Sequence, residues 1–395
     1  MKKLLKYFVT DSIQSFIPVL MWALLPLIFR NTIWAEGYIT TYPYQFLYEL
    51  LYHLIFKSQL KHEKCKHEEN NNYALTGIIL LSIASILIYV ASILNWESIK
   101  YILGFSEAHK SVFVFSLGNL IIDWILMAII VVYQYNDENK QAFKITIAYC
   151  ISKLVLVCLA AKYNMDVNII VLVHAVILAI AILSKMKGYK FKFSINAFKY
   201  SISPVSSSFC MMIVYILGIS KMTNHSLEVL SAYNLMSMCC DTQWDAYSSS
   251  VDTNTTLHIT SGKFEEQRRK LFIDAILHGI LMIVLSASCV FICMTLPIYR
   301  DSINFKYVWI MFSLECLTFP LYGIQYTARS WTTVSHPNPF QALSNIIKYI
   351  IRTLVTLTLP TIYAVSEAVI SSCIIGLIFE VCIYKYYRKR DLIKC

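Results

Sequence analysis

The chain is written in long apolar stretches, each closed by a few polar or charged positions. Their length, roughly 17 to 25 residues, is what a helix needs to cross about 30 Å of hydrocarbon. Twelve can be marked: Ser12–Phe29, Tyr38–Phe56, Tyr73–Leu94, Ser111–Tyr133, Phe143–Ala161, Val167–Leu183, Tyr200–Ile219, Leu227–Ile259, Leu271–Met294, Tyr307–Tyr326, Phe340–Leu359 and Val365–Tyr384. No alternation of period two marks barrel strands, and a helix satisfies its own backbone where lipid offers no partners. The pattern predicts an all-α polytopic membrane protein of twelve transmembrane helices. Composition agrees, with 57% hydrophobic against 15% charged residues, far from the balance of a soluble domain.

Lys and Arg avoid translocation, so their distribution sets the orientation. With the amino terminus inside, the inner segments hold 24 of the 34 and the outer loops 7. A multi-pass protein of the cell membrane with both termini cytoplasmic is expected. The net charge of +10 is mostly this bias and calls for no nucleic-acid partner. Asp11 and Gln14 interrupt the apolar run after "MKKLLK", and no small-residue cleavage site follows, so an uncleaved first span is expected. Most of the twelve cysteines lie inside spans as small apolar fillers. In "KHEKCKHEENNN" (Lys61–Asn72), His62, Cys65 and His67 match no recognised ligand spacing; the segment reads as a solvated inner loop, and no metal is expected.

The halves can be laid over each other. Pro18 and Pro204 are 186 apart, Tyr42 and Tyr233 are 191 apart, and "FSL" at Phe115–Leu117 recurs at Phe312–Leu314, an offset of 197 shared by Phe143 and Phe340. A smoothly growing offset predicts two six-helix lobes in the same orientation, 1–184 and 200–395, joined by a Lys-rich cytoplasmic linker over 185–199.

Polar residues inside the spans are the candidate chemistry. Asp241, Asp245 and Asp252 fall at about 0°, 40° and 20° on a helical wheel, with Ser248 beside them. A carboxylate facing lipid near the midplane costs on the order of 3 kcal/mol. The stripe is therefore expected to face water, a partner or a ligand, with Asp241 deepest and Asp252 near the inner surface. Adding 191 to Glu49 gives 240, beside Asp241, and His53 stands one turn from Glu49. Asp241, Asp245, Glu49 and His53 are the candidate ion-coupling or cation-binding groups. Asp123 in span 4 and Glu315 in span 10 are expected to face the interior for the same reason. Span 11 carries the opposite sign along Gln341, Asn345, Lys348 and Arg352, with Lys153 in span 5 as its rough counterpart. These cations could pair with Asp241 and Asp245, switch partners during ion coupling, or meet an anionic substrate; all three remain open.

Twelve spans in two halves, a proline at the start of each half, the long polar eighth span, "ITSGKFEEQRRK" (Ile259–Lys270) with its Gly262-Lys263 turn, and "RSWTTVSHPNP" before span 11 together resemble the multidrug and toxic compound extrusion (MATE) family. The sequence departs from that family at three places: the position of the expected acid late in span 1 is Ile33, with Arg30 and Asn31 nearby, span 7 carries no acid, and no Gly-Gln pair precedes the turn. The resemblance implies a secondary antiporter whose two lobes rock to expose a central cavity alternately. H⁺ or Na⁺ would be the coupling ion, with no other cofactor. Amphipathic small molecules are the implied substrates, and Trp244 beside the acids suits cationic ones. The alternative is a flippase for lipid-linked oligosaccharide or polysaccharide precursors, with Lys153, Lys348 and Arg352 meeting a diphosphate. The expected partners are the lipid bilayer and that substrate, and the expected state is a monomer. An enzyme is not expected, because the longest outer loop, Asn95–Lys110, carries no nucleophile and base. No phosphate-binding Gly-rich loop suggests ATP drive.

Overall fold

The expected spans are helices wherever the computed structural model describes them, over residues 4–13, 25, 41–68, 70–103, 106–163, 165–186, 188–225 and 227–394. Span 1, with Pro18, lies outside these residues apart from its first two positions and Leu25. Residues 4–13 form α1. Span 2 runs without a break through Tyr42–Leu51 (α2), a π-helical turn at Tyr52–Lys57, and Ser58–Cys65 (α3). There follow Asn72–Leu94 (α4), the short Trp96–Leu103 (α5), His109–Tyr135 (α6), Asn139–Tyr163 (α7) and Asn168–Lys185 (α8). The rest of the chain forms Ile202–His225 (α9), Leu227–Thr260 (α10), Phe264–Thr295 (α11), Phe305–Glu315 (α12), Phe319–Ser335 (α13), Phe340–Thr358 (α14) and Thr361–Lys394 (α15).

Helix α14 shows which solvent these helices are built for. Gln341, Asn345, Lys348 and Arg352 are all buried, while Phe340, Leu343, Ile350, Leu354 and Leu357 are exposed. A soluble helix does the reverse, hiding its apolar stripe and wetting its polar one. The exposed residues of α4 (Ile86, Leu87, Val90) and α8 (Leu172, Ile180, Leu183) follow the same inverted rule. Among the described residues, α4, α6, α7, α11 and the stretch Phe305–Ser335 are long and apolar enough to cross a bilayer.

Span 10, expected as one helix, is broken by a 3-10 turn at Cys316–Thr318. Pro320 stands in the first turn of α13; it lacks an N–H and its ring would collide with the carbonyl four residues back, so α12 cannot run on unbroken. Just past the break α13 crosses α11 at backbone distance. A Cβ on Gly279 would meet the Phe319 carbonyl oxygen at 2.7 Å, and one on Gly323 would meet the Ala275 carbonyl carbon at 2.8 Å. Close approach of small residues is the way helices associate where lipid removes the hydrophobic drive. The Tyr247 hydroxyl fastens the crossing by donating to the Ala275 carbonyl at 2.7 Å. Helix α10 ends as its sequence suggests, on Gly262 with φ of +70°, and the Lys263 N–H returns to the His258 carbonyl at 2.9 Å.

By contacts the chain divides into two compact units, Phe16–Ser201 and Ile202–Cys395 together with Met1–Ser15. The first residues thus pack with the second half, where Leu4, Tyr7 and Phe8 are buried and the Phe8 ring meets His278 edge-on at 6.0 Å. The expected linker 185–199 is not a loose connector either. The N–H groups of Lys190, Lys192 and Ser194 donate in turn to Asn72 Oδ1 (3.1 Å), Thr76 Oγ1 (3.2 Å) and Gln59 Oε1 (3.0 Å). Gln59 Nε2 answers by donating to the Ser194 carbonyl at 2.9 Å. The strap lies on the segment that the sequence suggested was a solvated loop. There α3 continues span 2, and Ser58 through Glu63 are buried. Glu63 accepts the Ala74 N–H at 2.8 Å, satisfying a donor that the first turn of α4 leaves open.

Candidate functional site

In the unit Phe16–Ser201 the expected acid of span 4 and the expected cation of span 5 meet. Lys153 on α7 donates to both carboxylate oxygens of Asp123 on α6, at 2.9 and 3.1 Å, and to the Tyr149 hydroxyl at 3.1 Å. Tyr149, one turn before Lys153, donates to Asp123 Oδ1 at 2.7 Å. The Lys153 side chain is fully buried and that of Asp123 is 20% exposed. A buried ion pair repays its desolvation only when further hydrogen bonds complete its geometry, and Tyr149 provides them.

His174 on α8 adjoins this cluster. Its ring meets Tyr149 edge-on at 4.8 Å. Nδ1 faces the Ile170 carbonyl at 2.8 Å and Nε2 faces Ser152 Oγ at 2.9 Å; Ser152 Oγ is also 2.8 Å from the Tyr149 carbonyl. A neutral ring donates from Nδ1 and accepts the Ser152 hydroxyl at Nε2. A protonated ring donates from both nitrogens, and Ser152 turns its hydroxyl to the Tyr149 carbonyl. The surroundings accommodate either state. Tyr149, Ser152 and His174 also line a cavity of about 570 Å³, whose walls come from α4, α6, α7 and α8 and whose other end reaches Asn136 and Glu138 at the ends of α6 and α7.

In the unit built on Ile202–Cys395 the span 11 stripe is buried but joined differently. Asn345 ties α14 to α9 by donating to the Ser203 carbonyl at 2.8 Å and to Ser206 Oγ at 3.0 Å. Gln341 donates to the Arg329 carbonyl at 3.3 Å and accepts from Thr333 at 3.2 Å. Lys348 lies over the Tyr349 ring at 4.4 Å, and among the described residues no carboxylate comes within 4.0 Å of its ammonium. Glu380 on α15 is fully buried. Its two oxygens have no hydrogen-bond partner among the described residues, nor does Gln325 Oε1. Lys348, Arg329 and the Gln341 amide face that carboxyl group. A Cβ on Gly376 would lie 2.7 Å from Lys348 Cδ and 2.8 Å from Gln325 Nε2, so the missing side chain is what lets these groups pass α15. Arg352 reaches Met211 Sδ at 3.5 Å.

The remaining expected residues are scattered. Glu49 and His53 share a face as expected, 3.9 Å apart, at the junction of α2 with the π-helical turn. Asp252 accepts the Ser330 hydroxyl at 2.7 Å, tying α10 to α13. Glu315 is half-buried at the end of α12. The side chains of Asp241 and Asp245 lie outside the described residues, although the backbone carrying them is helical. Trp244 between them packs on Tyr322 and Tyr326, with centroids at 3.8 and 5.8 Å. Sequence reasoning missed Tyr149, His174 and Glu380. The signal for Tyr149 was its place four residues before a buried Lys, and for the others an ionisable residue within an apolar run.

No protein-family model and no curated protein matches the sequence. Solved structures do. The Vibrio cholerae MATE transporter VcmN superposes with a TM-score of 0.73 at 10% identity, over 98% of this chain and 97% of that one. An outward-facing multidrug resistance MATE family transporter of the MOP superfamily gives 0.70 at 9%, over 98% and 95%. The MATE transporter ClbM in complex with Rb⁺ gives 0.65 at 13%, over 96% and 93%. Along almost its whole length the chain therefore has the fold of the MATE transporters, an all-α membrane fold of twelve spans.

Proposed function

We propose that the chain is a secondary active transporter of the MATE kind, an antiporter coupled to H⁺ or Na⁺ that exports amphipathic small molecules by alternating access. One observation carries the reading: each unit buries ionisable groups within apolar helices, Asp123 and Lys153 in one, Lys348, Arg352 and Glu380 in the other. Each such group costs on the order of 3 kcal/mol in a membrane, which a purely structural protein has no reason to sustain. The fold likeness supports the same reading. Asp241 and Asp245, by their position on α10, and Glu49 with His53 are the proposed coupling groups. Ion binding there shifts the equilibrium between states only as far as its affinity differs between them. The Lys and Arg distribution supports a cell-membrane protein with both termini cytoplasmic; the proposed acting state is a monomer.

The test is flux of a fluorescent lipophilic cation into membrane vesicles under an imposed pH or Na⁺ gradient, for wild type and Asp241→Asn. Gradient-driven flux in wild type and its loss in the variant are expected. Flux that persists unchanged with both gradients collapsed sinks the antiport reading.

The burial of Lys348 with no described carboxylate within 4.0 Å favours a second reading, a flippase for lipid-linked oligosaccharide precursors whose diphosphate meets Lys348 and Arg352. Under that reading Lys348→Ala abolishes lipid-linked sugar export and leaves cation flux intact.

A further inference from the structure

We infer that the strap over residues 189–199 is a docking site for an anionic phospholipid: it holds an apolar row at the headgroup layer where span 3 enters the bilayer, with Lys66, Lys190 and Lys199 as the cations that meet the lipid phosphate. The inference does not depend on the transport reading, and its test measures no flux.

The level of the strap is set by its anchors. The Lys190 and Lys192 N–H groups reach Asn72 and Thr76 at the start of α4, and the Tyr189 hydroxyl lies 2.8 Å from Thr76 Oγ1, so the strap lies where the apolar run of span 3 begins. Because the N–H groups of Lys190, Lys192 and Ser194 are all engaged on the same side, the side chains alternate as they do along a strand. Lys192 turns to Glu68 at 2.6 Å. Phe191, Phe193 and Ile195 take the other direction and stay 65%, 38% and 76% exposed. On the spans, hydrocarbon accounts for exposed apolar side chains. At the end of a span, an apolar row beside lysines suits the boundary layer, where apolar groups dip toward the acyl chains and cations meet phosphates. Three exposed cations border the row. Lys190 belongs to the strap, Lys199 closes it, and Lys66 shares the Tyr73 ring with Lys192, their ammonium groups 5.8 and 5.5 Å from its centroid. Among the described residues no carboxylate comes within 4.0 Å of Lys66, Lys190 or Lys199. Free charge of one sign favours a headgroup of net negative charge over a zwitterionic one, whose own ammonium would meet these lysines. The Lys and Arg distribution places such a lipid in the cytoplasmic leaflet.

The experiment is photo-crosslinking of the full chain in liposomes of phosphatidylcholine with a minor share of phosphatidylglycerol. A photoreactive benzoyl-phenylalanine replaces Phe191 in one sample and, as the reference for bulk lipid, the exposed Leu87 of α4 in another. Adducts are identified by mass spectrometry. The expected result is phospholipid adducts at both positions, with phosphatidylglycerol enriched at 191 by roughly threefold over its share at 87. In Lys190→Gln/Lys199→Gln the adducts at 191 persist and the enrichment falls to the proportion found at 87. High salt, which screens exposed charges, lowers the enrichment in the same direction. Position 191 without lipid adducts while 87 forms them overturns the inference, because the row then faces water. So does a crosslinked second copy as the main product at 191, which makes the row an interface between chains. Equal proportions at 191 and 87, or an enrichment that survives the loss of both lysines, overturns it as well. If the transport reading alone is wrong, vesicle flux ignores the gradients and the adducts at 191 are unchanged.

Discussion

The two units carry a buried lysine on corresponding spans, the fifth and the eleventh, and treat it in opposite ways. Lys153 is closed off, with a carboxylate and a hydroxyl filling its donors. Among the described residues Lys348 has an aromatic face and no carboxylate within 4.0 Å, and Glu380, the buried acid within its electrostatic reach, has only the Gln341 amide near enough to approach a hydrogen bond. A completed ion pair in a low-dielectric interior holds helices together and resists change, whereas charges without partners store a penalty that a ligand or a proton can relieve. One unit therefore reads as the fixed half of the electrostatic design and the other as the responsive half.

The sharpest way to break this contrast is to open the closed pair. Asp123→Ala leaves Lys153 buried without its counter-ion and is expected to lower the unfolding free energy by about 3–5 kcal/mol, read by denaturant unfolding in detergent. Removing the other cation gives the complementary outcome. Lys348→Met, a change of similar length, should cost about 1–2 kcal/mol, less than Asp123→Ala, since no described carboxylate lies within 4.0 Å of its ammonium and Arg329 and Gln341 still neighbour Glu380. A loss as large as that of Asp123→Ala would erase the distinction between the units. A smaller effect belongs to the strap on the first unit. Gln59→Ala deletes two hydrogen bonds to Ser194 and should cost about 1–3 kcal/mol, with faster proteolysis over residues 189–194 as the direct readout.

The smallest effect is at the exposed end of the same strap. Lys192 donates to Glu68 at 2.6 Å, and this bond, ahead of the wider electrostatic pull of the same lysine, holds the Glu68 carboxyl below its usual range. A carboxyl depressed in the folded state contributes stability that is complete above its unfolded pKa and fades as the pH falls through its lower folded pKa. Glu68→Gln should therefore narrow the gap to wild type on acidification, in a pH series of unfolding curves, with little effect otherwise.

Much of the fold was legible because long apolar runs leave few alternatives. Span 3, expected at Tyr73–Leu94, is the helix Asn72–Leu94, and span 8, expected to end at Ile259, ends at Thr260. What escaped notice was short or depended on distant residues. The described part of α1, residues 4–13, lies mostly before the first apolar run, yet Tyr7 and Phe8 are buried in the second unit. The break in span 10 was foreshadowed by Pro320 but drowned in the hydrophobicity around it. Among the charges, a cost argument marked Asp123 as inward-facing and the repeat marked Lys153 as the counterpart of the span 11 cations, without showing that the two meet, because 30 residues and a helix reversal separate them. Glu380 stands inside the apolar run of span 12 but only five residues before Lys385, so its signal was masked by the cationic end that follows.

The bonding of residues 190–194 decides where the chain can be rewritten. Three successive alternate N–H groups are engaged there, so a protease site or reporter spliced into that stretch would compete with bonds already made. Gly188, two residues earlier, stands in open space with φ of +77°, a conformation natural to glycine-rich inserts. A tag placed at that position meets no neighbouring side chain and interrupts a turn bond, from the Tyr189 N–H to the Met186 carbonyl at 2.9 Å, rather than the strap's anchors, which makes it the natural doorway for labels on this half of the molecule.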